Sequence, residues 1–171
     1  LFHLFTTTGR TGERTDRDTP IWILLPLFLL VGAALWVLPD YGQLNPLFKH
    51  IPVIACVIGF GFFFVTVSAR LTGIVGGSSN PASGMTIATM LGTALVITTF
   101  GTQMGMDPVA QKVAIISVGA LVCIAICIGG DTAQDLKTGY LVKATPWKQQ
   151  LAELVGVLLA AGALAGILVL I

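Results

Sequence analysis

From Leu154 to Ile171 no side chain carries a hydrogen-bonding group. A run of that length fits either the middle of a large protein core or the hydrocarbon of a bilayer, whose crossing takes roughly 17–25 apolar residues as a helix. The rest of the chain decides between the two. Of its 171 residues 55% are hydrophobic and 10% charged, where a soluble domain has about 45–50% and about 25%. Too little polar surface exists to coat a water-soluble particle of this size, so the solvent is lipid. The net charge of +1, with no tract of Lys and Arg, excludes a nucleic-acid partner.

The expected fold class is an all-α polytopic membrane protein, part of a larger helical transporter bundle, with one broken or re-entrant segment. Residues 1–20 form a polar cytoplasmic segment, and the transmembrane region covers 21–171. Its spans are expected at 21–38, 51–69, 82–100, 109–128 and 151–171. Trp22 and Trp36 sit near the two ends of the first span, where aromatic belts belong, and Pro26 marks its first turns or a kink. The third span is the weakest, being rich in Thr, Gly and Ser. Asp107-Pro108 supplies an N-cap and N1 pair for the fourth. The chain begins with Leu1 and ends inside an apolar run, so it reads as a piece of a longer protein.

Orientation follows from the basic residues. With five spans, the N-terminal segment and the connections near 70–80 and 129–150 share one side. That side carries Arg10, Arg14, Arg17, Arg70, Lys137, Lys143 and Lys148, seven in all, against Lys49 and Lys112 on the other. The positive-inside rule places the seven in the cytoplasm, in a bacterial plasma (inner) membrane. Gly59, Gly61 and the pair Gly162 and Gly166 fit close helix–helix contacts of the ordinary bundle kind.

Cys56, Cys123 and Cys127 lie in apolar runs. A helix would put Cys123 and Cys127 on one face, which allows a metal or redox pair, although free cysteine in such a setting is chiefly a small packing residue. His3 and His50 lie outside the spans and lack partners at metal-ligand spacing. No cofactor, no metal and no enzymatic activity are expected.

Two segments are not explained by spanning. The stretch Arg70–Met85 has a centre of Gly, Ser, Asn and Pro, which cannot continue a helix cheaply. Broken backbone at membrane depth is tolerated only inside protein or beside a wet cavity. Asn80 can cap a helix that starts at Pro81, leaving free N–H groups and a positive dipole end for an anionic group. Gly77, Ser78, Ser79, Asn80, Pro81 and Ser83 are therefore candidate substrate-binding residues; the alternative is a plain surface turn. The stretch Gly129–Pro146 gathers Asp131, Gln134, Asp135, Lys137 and Tyr140. A partly desolvated carboxylate at a membrane boundary has a raised pKa and can carry a coupling proton. These five are candidates for proton coupling or polar substrate contact; the alternative is a solvated loop. Glu153 in the first turn of the last span suits the helix N-terminus.

The same segments carry a family resemblance. Ser68-Ala-Arg-Leu-Thr-Gly73 followed by Gly77-Ser-Ser-Asn-Pro-Ala-Ser-Gly-Met-Thr-Ile-Ala-Thr89 resembles a signature of prokaryotic oligopeptide transporters. Gly130-Asp-Thr-Ala-Gln-Asp-Leu-Lys-Thr-Gly-Tyr-Leu-Val-Lys-Ala-Thr-Pro-Trp-Lys-Gln-Gln150 is similar to the second hallmark of that family, whose Gln-Asp-x-Lys-Thr-Gly-Tyr core is shared with the yellow-stripe-like metal-chelate branch. Two residues depart from the pattern: Lys143 stands where a small residue is expected and Trp147 where a basic one is. The resemblance implies a secondary transporter, proton-coupled, moving short peptides or peptide-like metal chelates, with protons and the lipid bilayer as partners and a homo-oligomer as one option. It also implies many more spans than this chain holds. Two other readings stay open: an aquaporin-like channel, from the single Asn80-Pro81-Ala82, and a non-transporting scaffold subunit.

Overall fold

The computed structural model describes Trp22, Pro26, residues 50–100 and residues 105–170. The first expected span lies outside these residues apart from Trp22 and Pro26, which are helical and exposed. The described chain is helical, without strands: α1 is Ile51–Val75, a 3-10 turn covers Gly77–Ser79, α2 is Ala82–Phe100, α3 is Pro108–Leu141 and α4 is Pro146–Leu170. All four α-helices are long and apolar enough to cross a membrane, which makes this an all-α polytopic membrane protein. Three of them run further than the apolar pattern alone suggests, α4 by opening at Pro146 instead of 151. α1 continues through Arg70 to Val75, and α3 continues through Gly129-Gly130 to Leu141. The stretch 129–141, which the charge count treats as part of a connection, is therefore helix. Nothing in it breaks a helix except three glycines, Gly129, Gly130 and Gly139, and their cost of about 1 kcal/mol each is offset where the helix is packed.

The chain divides into two compact units, Leu27–Gln134 and Leu1–Pro26 with Asp135–Ile171. In the first unit the core is written in steps of four. On α3, Ala114, Val118, Val122 and Ile126 are each at most 1% exposed. On α2 the buried residues are Met85, Thr89, Thr93 and Ile97. On α1 the row runs through Cys56, Phe60, Phe64, Ser68 and Thr72, the ends buried and the two stacked rings packed onto the core. A step of four residues overshoots a 3.6-residue turn by about 40°, so each row winds around its helix rather than staying on one face. α3 can thereby face one neighbour early and another late. A Cβ on Gly119 would meet the side chain of Met90 on α2, while one on Gly129 would meet Val65 on α1.

All but one of the threonines that weaken α2 as a sequence signal are satisfied within the helix, Thr93 being the exception. Thr86, Thr89, Thr98 and Thr99 each donate to the carbonyl four residues back, at 2.8–2.9 Å. Thr66 on α1 does the same to Phe62. Such back-bonding removes the hydroxyl's cost in a medium without water.

In the second unit α3 ends on a Schellman closure. The Ala144 N–H donates to the Gly139 carbonyl and the Lys143 N–H to that of Tyr140. This makes Lys143 the residue past the helix end that must turn left-handed, and its φ is 57°. Glycine is the usual occupant because it has no Cβ to clash there, which explains the small residue expected at this position. Thr145 is then buried and its carbonyl accepts from Lys148 and Gln149, with Pro146 opening α4 where a missing N–H costs nothing. Gln149 reaches back to the Asp135 carbonyl at 3.1 Å and lies directly against Gly139. No described residue of α4 itself is buried. Replacing Lys143 by glycine should stabilise the protein by about 1 kcal/mol, read as a higher melting temperature of the full-length protein in detergent.

Candidate functional site

The interruption between α1 and α2 is shorter than the composition suggests. It comprises Gly76 to Pro81. The Gly76 N–H closes α1 on the Thr72 carbonyl at 2.9 Å, and Gly76 then turns away with φ 101° and ψ 163°. Only glycine is at ease there. The 3-10 turn follows, held by Ser79 N–H to the Gly76 carbonyl and Asn80 N–H to the Gly77 carbonyl. Pro81 comes next, and its carbonyl accepts the first helical bond of α2, from Met85 at 3.1 Å. Among the described residues the N–H groups of Ala82, Ser83 and Gly84 meet no protein acceptor, as the start of a helix leaves them.

Asn80 does not cap α2 as its place in the sequence suggests. The helix starts one residue later, at Ala82, with Pro81 in the cap position. The Asn80 side chain reaches back to α1 instead, where Ser68 Oγ lies 3.0 Å from its Oδ1. Ser68 Oγ is also 2.9 Å from the Ile126 carbonyl on α3. One hydroxyl proton serves one acceptor well. With the proton on the Ile126 side, the Asn80 amide turned over would donate to Ser68, since its two ends look alike in shape. Either way one fully buried serine ties α1, α3 and the break together.

α3 supplies the seat. Its core row continues from Ile126 to Gly130 and Gln134, still in steps of four. The bare Cα of Gly130 faces the break: a Cβ there would lie 2.6 Å from Asn80 Nδ2, 3.0 Å from Ser68 Oγ and 3.1 Å from Thr72 Oγ1. One turn on, Gln134 Oε1 accepts from the Gly77 N–H at 3.0 Å, and any side chain at Gly77 would run into it. Thr72 is 2% exposed and its hydroxyl has no partner.

Of the expected site residues, the structure gathers Gly77, Asn80 and Gln134. Ser78, Ser79, Pro81 and Ser83 are exposed beside them. Asp131 follows Gly130 on α3 and is exposed. Asp135, Lys137 and Tyr140 belong to the second unit and are exposed there, Tyr140 to 71%. Ser68, Thr72 and Gly130 are members of the cluster that composition did not single out. Their signal is a spacing of four between two hydroxyls at the end of an apolar run, on a helix that the apolar pattern alone ends too early. Gly130→Ala should force Asn80 off its seat and destabilise the fold by about 1–3 kcal/mol. The unfolding midpoint of the full-length protein measures this, with Gly156→Ala, where a Cβ meets nothing, as the control.

No cluster of three or more His, Cys, Asp or Glu that could hold a metal occurs among the described residues. The donors at the break are hydroxyls, amides and backbone N–H groups, which suit a polar or anionic organic group.

Comparison with known proteins gives a consistent picture. The family described as OPT oligopeptide transporter protein matches residues 4–171. A protein of Haemophilus influenzae named "Putative oligopeptide transporter" is 31% identical over 168 residues, covering 91% of this chain and 26% of its own length. The chain thus spans about a quarter of that relative. No solved structure matches it.

Proposed function

Since this chain belongs to the oligopeptide transporter family, we propose that it contributes part of the substrate pathway of a secondary active transporter of short peptides or peptide-like metal chelates. The observation that carries this reading is the interruption Gly76–Pro81. It follows a helix long and apolar enough to span, precedes another, and is pinned by Ser68, Gly130 and Gln134 with its polar groups gathered. Soluble-loop physics gives no reason to fix a turn this firmly, whereas transporters use broken helices to meet the charged ends of a solute.

In this mechanism the free N–H groups of Ala82, Ser83 and Gly84 and the amide of Asn80 meet the carboxylate of the substrate. Ser78, Ser79, Pro81 and Ser83 line the approach. Gln134 has its side-chain oxygen committed to the Gly77 N–H, so its part is to hold the break in place. Asp131 or Asp135 carries the coupling proton or meets the substrate amine, with Lys137 and Tyr140 as polar company; a carboxylate that gains and loses a proton as access alternates links transport to the gradient. The distribution of basic residues supports a bacterial inner membrane with residues 1–20, about 70–80 and 129–150 on the cytoplasmic side.

Asn80 also bears on the channel reading. In that reading the asparagine of Asn-Pro-Ala caps its own half-helix, whereas here it bonds to Ser68.

The test is uptake by the full-length protein in proteoliposomes, offered tripeptides, glutathione and iron chelates with and without an inward proton gradient. Gradient-driven uptake of one class is expected, and Asn80→Ala should reduce its affinity by about tenfold, the worth of one hydrogen bond to a charged group. Asp131→Asn together with Asp135→Asn should abolish the response to the gradient while leaving exchange of substrate without a gradient intact. Uptake indifferent to the gradient in the unaltered protein would remove proton coupling from the mechanism.

A further inference from the structure

Seven threonines lie on the described parts of α1 and α2, and they divide into two behaviours. Thr66, Thr86, Thr89, Thr98 and Thr99 turn their hydroxyls onto the carbonyl four residues back. Thr93 and Thr72 do not, and both oxygens are buried without a hydrogen-bond partner. Thr93 at least has the thiol of Cys56 beside it. Thr72 has nothing of the kind. The carbonyl of Ser68 stands four residues behind it in the same helix, where back-bonding is the cheap solution for a hydroxyl away from water. Thr72 forgoes it and points its oxygen at the Cα of Gly130, the spot against which Asn80 Nδ2 also rests. A buried hydroxyl left unsatisfied beside an available acceptor calls for an explanation, and a ligand that accepts from it is one.

We propose that Thr72 is a further substrate-binding residue, whose hydroxyl joins the Asn80 amide in gripping the C-terminal carboxylate of a peptide. The proposal rests on the reading of the break as the substrate site and adds a specificity to it. Two neutral donors, Thr72 O–H and Asn80 N–H, converge from α1 and from the break. With the donor-rich start of α2 following Asn80, they match the two oxygens of a carboxylate. No basic side chain is needed, so the site discriminates by hydrogen-bond count: a peptide with a free carboxylate satisfies both donors, and its amide offers one acceptor where two are wanted. In the present arrangement the seat is shut, because Asn80 lies on Gly130. Gly76, whose backbone tolerates conformations closed to other residues, is the point about which the break swings to admit the ligand.

The experiment compares trialanine with its C-terminal amide as probes for the full-length transporter in proteoliposomes, using Thr72→Val, Thr72→Ser and Asn80→Ala. Valine keeps the shape of threonine and removes the hydroxyl. Thr72→Val should raise KM for trialanine about tenfold with kcat little changed, as loss of one charge-assisted bond requires. It should leave the amide's KM unaltered and hold or raise the melting temperature, since an unsatisfied buried group has gone. Thr72→Ser should restore trialanine affinity. A purely structural hydroxyl would lower the melting temperature on conversion to valine and affect both probes alike, and that result overturns the proposal. So does an unchanged KM in Thr72→Val while Asn80→Ala is impaired, which leaves the site reading standing. Unchanged KM in both variants removes the site reading as well, and no uptake of trialanine by the unaltered protein overturns the peptide carboxylate as the ligand.

Discussion

In hydrocarbon there is no water to accept a stray proton donor, and this one constraint organises the molecule. Backbone groups are closed off by helix formation. Hydroxyls are closed off by the same trick at smaller scale, five threonines of α1 and α2 leaning on the carbonyl one turn behind them. A helix can then carry many hydroxyls and remain a membrane helix, which is why α2 spans despite its composition. Against that background the places where polar groups are not closed off locally stand out. Apart from Thr93 in the middle of α2, they fall at the end of α1, in the turn after it and at the start of α2.

The local rule has a packing counterpart. Apolar surface gives helices little reason to associate in lipid, so close approach and a few shared hydrogen bonds have to do the work. Ser68 is the clearest instance, being fully buried and bonded both to the break and to the backbone of α3. Gly130 is the complement, a position where absence of a side chain lets three polar atoms from α1 and the break close onto one Cα.

The class of fold was legible from the apolar runs and the shortage of charge, because bilayer thickness sets a length that few other environments impose. The helix ends were less legible. Hydropathy reports where lipid stops, and α1 and α3 continue past that point: Arg70 and Asp131 sit on helices because packing, not lipid, sustains the last turns. The site was half legible. Gly77, Asn80 and Pro81 announce a break by their backbone chemistry. Ser68 and Thr72 announce little beyond their spacing of four, since a hydroxyl in an apolar run looks the same whether it bonds its own helix or another element. Asn80 shows the limit of local rules most plainly. Its place before Pro81 reads as a cap, yet a buried serine twelve residues earlier offers the amide a partner within the protein, and the tertiary bond wins over the local one. Lys143 is the opposite case, a departure from a familiar pattern that becomes intelligible once its backbone is seen to be left-handed.

The row Ala114, Val118, Val122, Ile126, Gly130, Gln134 behaves mechanically like the thread of a screw. α3 meets Met90 of α2 at Gly119, Val65 of α1 at Gly129 and the break at Gly130 and Gln134, so a rotation of α3 about its axis would loosen both neighbours together. In a close-packed core such a change goes between discrete arrangements more readily than by gradual slippage.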